Sequence, residues 1–332
     1  MEEIIVKDIM NIKNILDEYG VAIIPNILNK DECSKFESGM FDYLEHIMQD
    51  FEKPFKRDDP STYTEFYKLL PKHGMLMQHF SIGHAQFIWD LRCKKKILDV
   101  FENIYETNEL LVSFDGASFS PPHEVTKRGY YKNNNWLHCD QSFTRSDFEC
   151  VQSWVTARDV NEGDATLTIL TKSNKFHAEF AEEFDIKIKD DWYKLNDDEI
   201  EFYKNKGCKQ IDITCSAGSI VLWDSRTIHS GKEAIKSREV DNLRIVAYLC
   251  YTPKELANEN IINKRIKAFE ELRTTSHWPH KVKLFPKTPR TYGNDLPNIK
   301  KIKEPILDIT GYKLIGYDFE EIEDEKCIFY II

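Results

Sequence analysis

"GSIVLWDSRTIHSG" spans Gly218–Gly231. Ile220–Trp223 is a short β-branched and aromatic run, closed by a turn at Asp224–Ser225. A second short run follows and carries His229 at its end. The pattern is strand, turn, strand. The same texture recurs on either side, in "ELLVSFDGASFS", "NNWLHCDQSF", "CVQSWVTARDV", "ATLTILT", "CKQIDIT" and "NLRIVAYLCYT". A series of short strands punctuated by turn residues predicts a sandwich or barrel.

The flanks read differently. Behind Asn29, a helix-capping residue type, Phe36, Met40, Tyr43, Leu44 and Ile47 recur at helical spacing. "HAQFIWDLRCKKKILDVFENIY" predicts one amphipathic helix over 84–105. Residues 175–184 and 190–206 predict two helices interrupting the strands, and Pro253–Arg273 predicts another. Residues 52–80 read as an irregular insertion. The expected fold is mainly β with flanking helices (α+β). It would form one domain over 1–332: a helical N-terminal layer to 107, a β core at about 108–252, and a helical and irregular extension over 253–332.

Hydrophobic residues make up 41% and charged residues 30%, ordinary for a folded chain. The net charge of −11 disfavours nucleic acid and anionic membrane as partners. Eight cysteines, at 33, 93, 139, 150, 208, 215, 250 and 327, form no C-x-x-C pair. Several lie in apolar runs, which reads as buried, reduced thiols rather than a disulfide framework. Residues 1–20 carry acids and no long apolar core, and no run approaches the roughly 18 apolar residues of a membrane span. The expected setting is cytoplasmic.

"NNNWLHCDQS" holds His138 and Asp140 two residues apart. On a strand both point to one face, with Cys139 on the other. Alone, the pair reads equally well as polar strand surface. His229 supplies a third arm, and Arg244 stands as a lone cation among apolar neighbours in "NLRIVAYLCYT", sharing a face with Val246, Tyr248 and Cys250. A guanidinium there needs an anion, and a carboxylate meets it bidentately. Two histidines and one carboxylate suit a non-haem Fe(II) site with open positions; a catalytic zinc site remains open on ligand chemistry.

The chain resembles the phytanoyl-CoA dioxygenase-like family of Fe(II)/2-oxoglutarate oxygenases, from about residue 20 to 251. "YGVAIIPNILNKDECSKF", "WLHCDQS", "VQSWVTARDVNEGDATLTILTKSNKFH", "GSIVLWDSRTIHSG" and "LRIVAYLCYTP" carry it, in that order. The resemblance implies a double-stranded β-helix, a jelly-roll or cupin-like barrel. It implies that His138, Asp140 and His229 bind Fe(II), and that Arg244 pairs with the distal carboxylate of 2-oxoglutarate. With O2, the reaction would release succinate and CO2 and hydroxylate a C–H bond of a small molecule or amino-acid side chain. Asp140 argues against a halogenase, in which a small residue replaces that carboxylate.

The segment "TKSNKFH" (171–177) departs from the family's usual turn, and the gap from His229 to Arg244 is long. Arg238, in a polar stretch, is therefore a rival for the co-substrate; Arg244 is preferred on burial. Gln152 and Trp154 are candidates to border the co-substrate. Asn135 and Ser230 are candidates to bond it. Asp224 and Arg226 read as a pair orienting the turn before His229. His123, His177 and His280 read as solvent histidines. Residues 274–293, rich in aromatic, proline and basic residues, read as a strap anchored by Trp278, Leu284 and Phe285, or as a lid over substrate; 123–135 reads as a second pocket wall. An inactive barrel module, a nucleic-acid or protein-modifying oxygenase, and a zinc hydrolase are the alternative functions.

Overall fold

The computed structural model describes residues 1–134, 136–293 and 295–318. Asn135 and Cys327 lie outside the described residues, as does the acidic run 319–325.

The N-terminal layer begins with α1 (Ile12–Tyr19), β1 (Val21–Ile24) and α2 (Lys30–Ile47). Gly20 joins α1 to β1 at φ +74°, and an added Cβ would lie 2.5 Å from Thr227 Oγ1, so the turn requires glycine. Asn29 starts α2 with a capping box: its side chain accepts from Glu32 N at 2.9 Å, and Glu32 accepts from Asn29 N at 2.8 Å. The insertion contains a 3-10 segment, Pro60–Leu69, and the short β2 (Leu76–Met77).

The single helix expected over 84–105 is two: α3 (Gln86–Arg92) and α4 (Lys95–Tyr105). The break falls at Lys94, whose backbone is extended and whose ammonium pairs with Glu32 of α2. The "ELLVSFDGASFS" run likewise divides, into β3 (Leu110–Val112) and β4 (Ala117–Ser120). Then come α5 (His123–Thr126), β5 (His138–Cys139), β6 (Val151–Thr156), β7 (Thr166–Leu170), α6 (His177–Glu183) and β8 (Tyr193–Lys194). The helix expected over 190–206 shortens to α7 (Asp197–Asn205), because β8 takes its start into a sheet and Asn196 caps at Glu199. The remainder is β9 (Gln210–Asp212), β10 (Ile220–Asp224), β11 (His229–Lys232), β12 (Arg244–Tyr248), β13 (Tyr251–Pro253), α8 (Glu259–Glu270) and α9 (Ile309–Ile315).

The strands form two antiparallel sheets. The larger runs β1–β10–β6–β12–β4–β2, with β13 pairing β3 and β6; the smaller runs β8–β5–β11–β7–β9. They face one another without closing into one barrel, in a jelly-roll-like α+β fold. The period-2 alternation shows in the packing. Ala22, Val151, Val155, Leu222, Ile245 and Ala247 turn one face of the large sheet to the helical layer. Val21, Ile23, Trp154, Val221, Trp223 and Val246 turn the other face to Leu167, Ile169 and Ile213 of the small sheet side. Each large apolar side chain fully buried this way contributes about 1.5–3 kcal/mol. The outer face of the small sheet is covered by Phe180, Ile200 and Tyr203 of α6 and α7.

Candidate metal centre

Strand register builds the site. His138 of β5 and His229 of β11 are direct cross-strand partners, which brings their ring centroids to 4.5 Å. Asp140 follows two residues after His138, on the same face. Its Oδ1 lies 3.6 Å from His138 Nε2, and its Oδ2 lies 3.4 Å from His229 Nε2. One ligand atom from each residue lies within 4.8 Å of the others. Cys139 points away into the outer apolar cluster.

The tautomers suit a metal. His138 Nδ1 meets Trp136 O at 3.0 Å, and His229 Nδ1 meets Thr227 O at 2.9 Å. A carbonyl only accepts, so each neutral ring carries its proton on Nδ1 and aims the Nε2 lone pair at Asp140. Burial works to raise the Asp140 carboxyl, but His138 and His277 outweigh it and hold it well below the carboxylate range. Burial and the neighbouring His138 push His229 down. Two lone pairs facing a carboxylate are mutually repulsive until a cation sits between them, so the residues fit a divalent ion with nitrogen and oxygen preference.

The triad opens into a cavity of about 690 Å³, to which both sheets contribute. Arg244 and Tyr248 of β12, Gln152 and Trp154 of β6 and Trp223 of β10 line it. Arg244 is buried; it donates to Ser118 Oγ at 3.3 Å and Ala165 O at 2.9 Å, and its guanidinium lies 5.2 Å from the Trp154 ring. No acid pairs with it among the described residues. Arg238 is committed elsewhere: it forks onto Glu124 at 2.6 and 2.7 Å and reaches Asp164 at 2.8 Å. It does not line the cavity.

Gln152 meets the triad, with Nε2 donating to Asp140 Oδ2 at 3.1 Å. Ser230 does not line the cavity, because strand alternation sends it to the face opposite His229. The strand ends at Tyr248, so Cys250 leaves the Arg244 face; its Sγ lies 3.7 Å from Cys150 Sγ, against Trp278. Arg226 holds Asp224 in a bidentate pair just before His229.

Three histidines expected at the surface are buried. His177 touches Ser142 O at 3.2 Å, His280 touches Thr252 Oγ1 at 3.2 Å, and His123 lies 3.2 Å from Glu124. Residues 123–134 do not line the cavity either; Lys72, Leu76 and Gln78 of the insertion form that wall. The 274–285 segment is strapped to the Phe114 backbone and forms one wall of the cavity. A Thr275–Leu284 bridge makes it a hairpin, Thr275 N donates to Phe114 O at 3.0 Å, and Ser276, His277, Trp278, Lys283 and Phe285 face the cavity.

Two neighbours of the triad were not singled out in the sequence. His277 Nδ1 lies 3.9 Å from Asp140 Oδ2, and burial pushes its imidazole down to about 4. Nothing in its loop spacing points there. Trp136 stacks on His138 at 4.8 Å on one side and on His73 at 3.9 Å on the other. Its position two residues before His138 was a usable signal, since alternation gives both the same face.

The family profile described as Phytanoyl-CoA dioxygenase (PhyH) matches residues 16–238. "Ava biosynthesis cluster protein O" of Aspergillus versicolor is 27% identical over 271 residues, covering 79% of this chain and 83% of that protein. Among solved structures, the hypothetical protein JW0805 of Escherichia coli matches with TM-score 0.57 and 14% identity, over 93% of this chain and 81% of that one. GlcNAc Inducible Gene 2 of Candida albicans matches with TM-score 0.53 and 14% identity, over 79% and 67%. These two likenesses concern the fold. No helix among the described residues is long and apolar enough to cross a membrane.

Proposed function

Because the chain belongs to the phytanoyl-CoA dioxygenase family, we propose that it hydroxylates an aliphatic C–H bond of a small molecule or an amino-acid side chain. The protein is a non-haem iron dioxygenase that uses Fe(II), 2-oxoglutarate and O2. The carrying observation is one cavity that holds both the His138–Asp140–His229 cluster and the buried, acid-free Arg244.

In this reading His138, Asp140 and His229 hold the iron. Bound iron and co-substrate supply the oxidation, coupled to release of succinate and CO2. The chain's own residues position and enclose. Arg244 takes the distal carboxylate of 2-oxoglutarate through a guanidinium that no acid among the described residues pairs with. Gln152 fixes the rotation of Asp140. Trp154 lies beneath Arg244 and keeps its charge away from water. The strap residues exclude solvent from the opposite side. A small-molecule substrate also accords with a relative named for a biosynthesis cluster.

The test is protein purified without oxygen, then supplied with Fe(II), ascorbate, 2-oxoglutarate and air. Succinate release is expected at a slow basal rate and stops in His138→Ala and Asp140→Ala. Absence of both turnover and 2-oxoglutarate binding in the wild type would overturn the reading. Activity with Zn(II) in place of Fe(II) would favour a hydrolase.

A further inference from the structure

Besides Asp140, the carboxylates of Asp115, Asp190 and Asp191 line the cavity. Asp191 is paired with Arg145 and Asp190 is exposed, which leaves Asp115 as the inner carboxylate that neither iron nor co-substrate uses. Asp115 lies between β3 and β4, where the strap meets the large sheet: Thr275 N donates to Phe114 O at 3.0 Å, and Tyr248 N donates to Gly116 O at 3.1 Å. Asp115 Oδ1 accepts from Gly116 N at 2.7 Å. Among the described residues the Gly116 bond is the one side-chain hydrogen bond of Asp115, and the residue lines the cavity. Arg92 lies behind it and donates to the Asp115 carbonyl at 3.0 Å, but no ion pair joins the two side chains. Burial, against the Gly116 bond and Arg92, raises the carboxyl to about 6, as befits a group with no close counter-charge.

Charge matching in the loaded site isolates this group. The two positive charges of iron and that of Arg244 match Asp140 and the two carboxylates of 2-oxoglutarate. Asp115 is left over, in a chamber that a substrate will dry. An ionised carboxylate under those conditions calls for a cation with N–H donors. The walls favour the same partner. Trp136, Trp154, Trp192, Trp223 and Trp278 all line this cavity, five of the chain's six tryptophans, and indole faces attract cations.

We propose that Asp115 anchors a cationic nitrogen, a primary amine or guanidinium, of the primary substrate, and so sets the substrate class of the oxygenase. The proposal rests on the oxygenase reading above. The exposed Lys72, Lys189 and Lys283 at the rim, which make no ion pair among the described residues, accommodate an anionic group at the outer end of the same molecule. Basic amino acids and peptides carrying them have both poles.

The probe is a matched panel of alkyl and arylalkyl amines, guanidines, alcohols and carboxylates, with lysine and arginine added. Binding to full-length protein loaded with Mn(II) and 2-oxoglutarate is read by calorimetry without oxygen. At least one amine or guanidine should bind roughly tenfold or more tighter than its alcohol and carboxylate. That ratio should collapse towards one in Asp115→Asn, which keeps the acceptor for Gly116, and persist in Asp115→Glu. Reading the ratio within each protein cancels general losses of loading. Equal binding of alcohols or carboxylates, binding of no cation, or an unchanged ratio in Asp115→Asn overturns the proposal; the last would leave Asp115 as counter-charge to Arg92. Should Asp115→Asn not fold, a structure of the loaded wild type with its tightest amine decides. Nitrogen in hydrogen-bond contact with Asp115 supports the proposal, and any other seat overturns it. A wild type that loads neither Mn(II) nor 2-oxoglutarate sinks the oxygenase reading and this proposal together; a loaded protein without amine preference sinks only the latter.

Discussion

Gln152 Nε2 donates to Asp140 Oδ2 at 3.1 Å, so the large sheet steadies a carboxylate that the small sheet presents. The bond crosses the cavity between the sheets and fixes which Asp140 lone pairs face the two histidines. Partners of metal ligands typically govern about 10–100-fold in metal affinity. Gln152→Ala is expected to weaken Mn(II) binding by that amount, measured by anaerobic titration. Unchanged affinity would show that Asp140 is oriented without it.

The two rival arginines separate by what each substitution damages. Arg244→Gln removes the buried cation that no acid engages among the described residues. It is expected to weaken 2-oxoglutarate binding by about 2–5 kcal/mol, which is about thirtyfold to several thousandfold in Kd. Arg238→Gln instead strands Glu124 and Asp164, which it bridges at 2.6–2.8 Å. Breaking such a buried pair costs about 3–5 kcal/mol, and Glu124 is partly exposed, so the lower end is expected. Urea unfolding and co-substrate titration on both variants check the assignment. Reversed outcomes would hand the carboxylate to Arg238.

Acid sensitivity should begin above the carboxylate range. His84 sits among Trp89, Phe114 and Phe269, and burial pushes it down to about 3. The unfolded chain takes up this proton near pH 6.5, the folded chain only near 3. Between those values the unfolded state binds more protons. Stability is therefore complete above about pH 6.5 and falls as pH drops towards 3. At pH 5 the loss from His84 is about 2 kcal/mol. Unfolding free energy measured from pH 7 to 5 should fall more gently in His84→Leu. An identical slope would show that His84 is already charged in the folded protein.

How far the sequence reached depended on whether neighbours in space were neighbours in pattern. Period-2 alternation exposed the shared face of His138 and Asp140, and the apolar context of Arg244 exposed a cation in need of an anion. Alternation applied to β11 would also have turned Ser230 away from the site. The helix break at Lys94 was hidden because helical periodicity runs through it; the ion pair to Glu32 that accompanies it is tertiary. His277 and Asp115 enter the cavity from a loop and a strand junction, where no periodicity specifies direction. Surface histidines were misjudged for the same reason. His177 and His280 are buried by loops whose course only the whole fold determines.

Metal dependence of stability tests the cluster apart from turnover. His138 and His229 each spend Nδ1 on a backbone carbonyl and aim Nε2 at Asp140. The arrangement is prepared before any ion arrives, so an ion that binds only the folded state must stabilise it by mass action. At a free concentration of one hundred times Kd the gain is about 2.7 kcal/mol. Mn(II) is expected to raise the unfolding temperature of the wild type accordingly, and chelation to reverse it. Asp140→Ala keeps both histidines but loses the only anionic ligand. Its two neutral donors hold Mn(II) poorly, so the same concentration should leave its unfolding temperature nearly unchanged. Equal stabilisation of both proteins would place the ion elsewhere and remove Asp140 from the metal site.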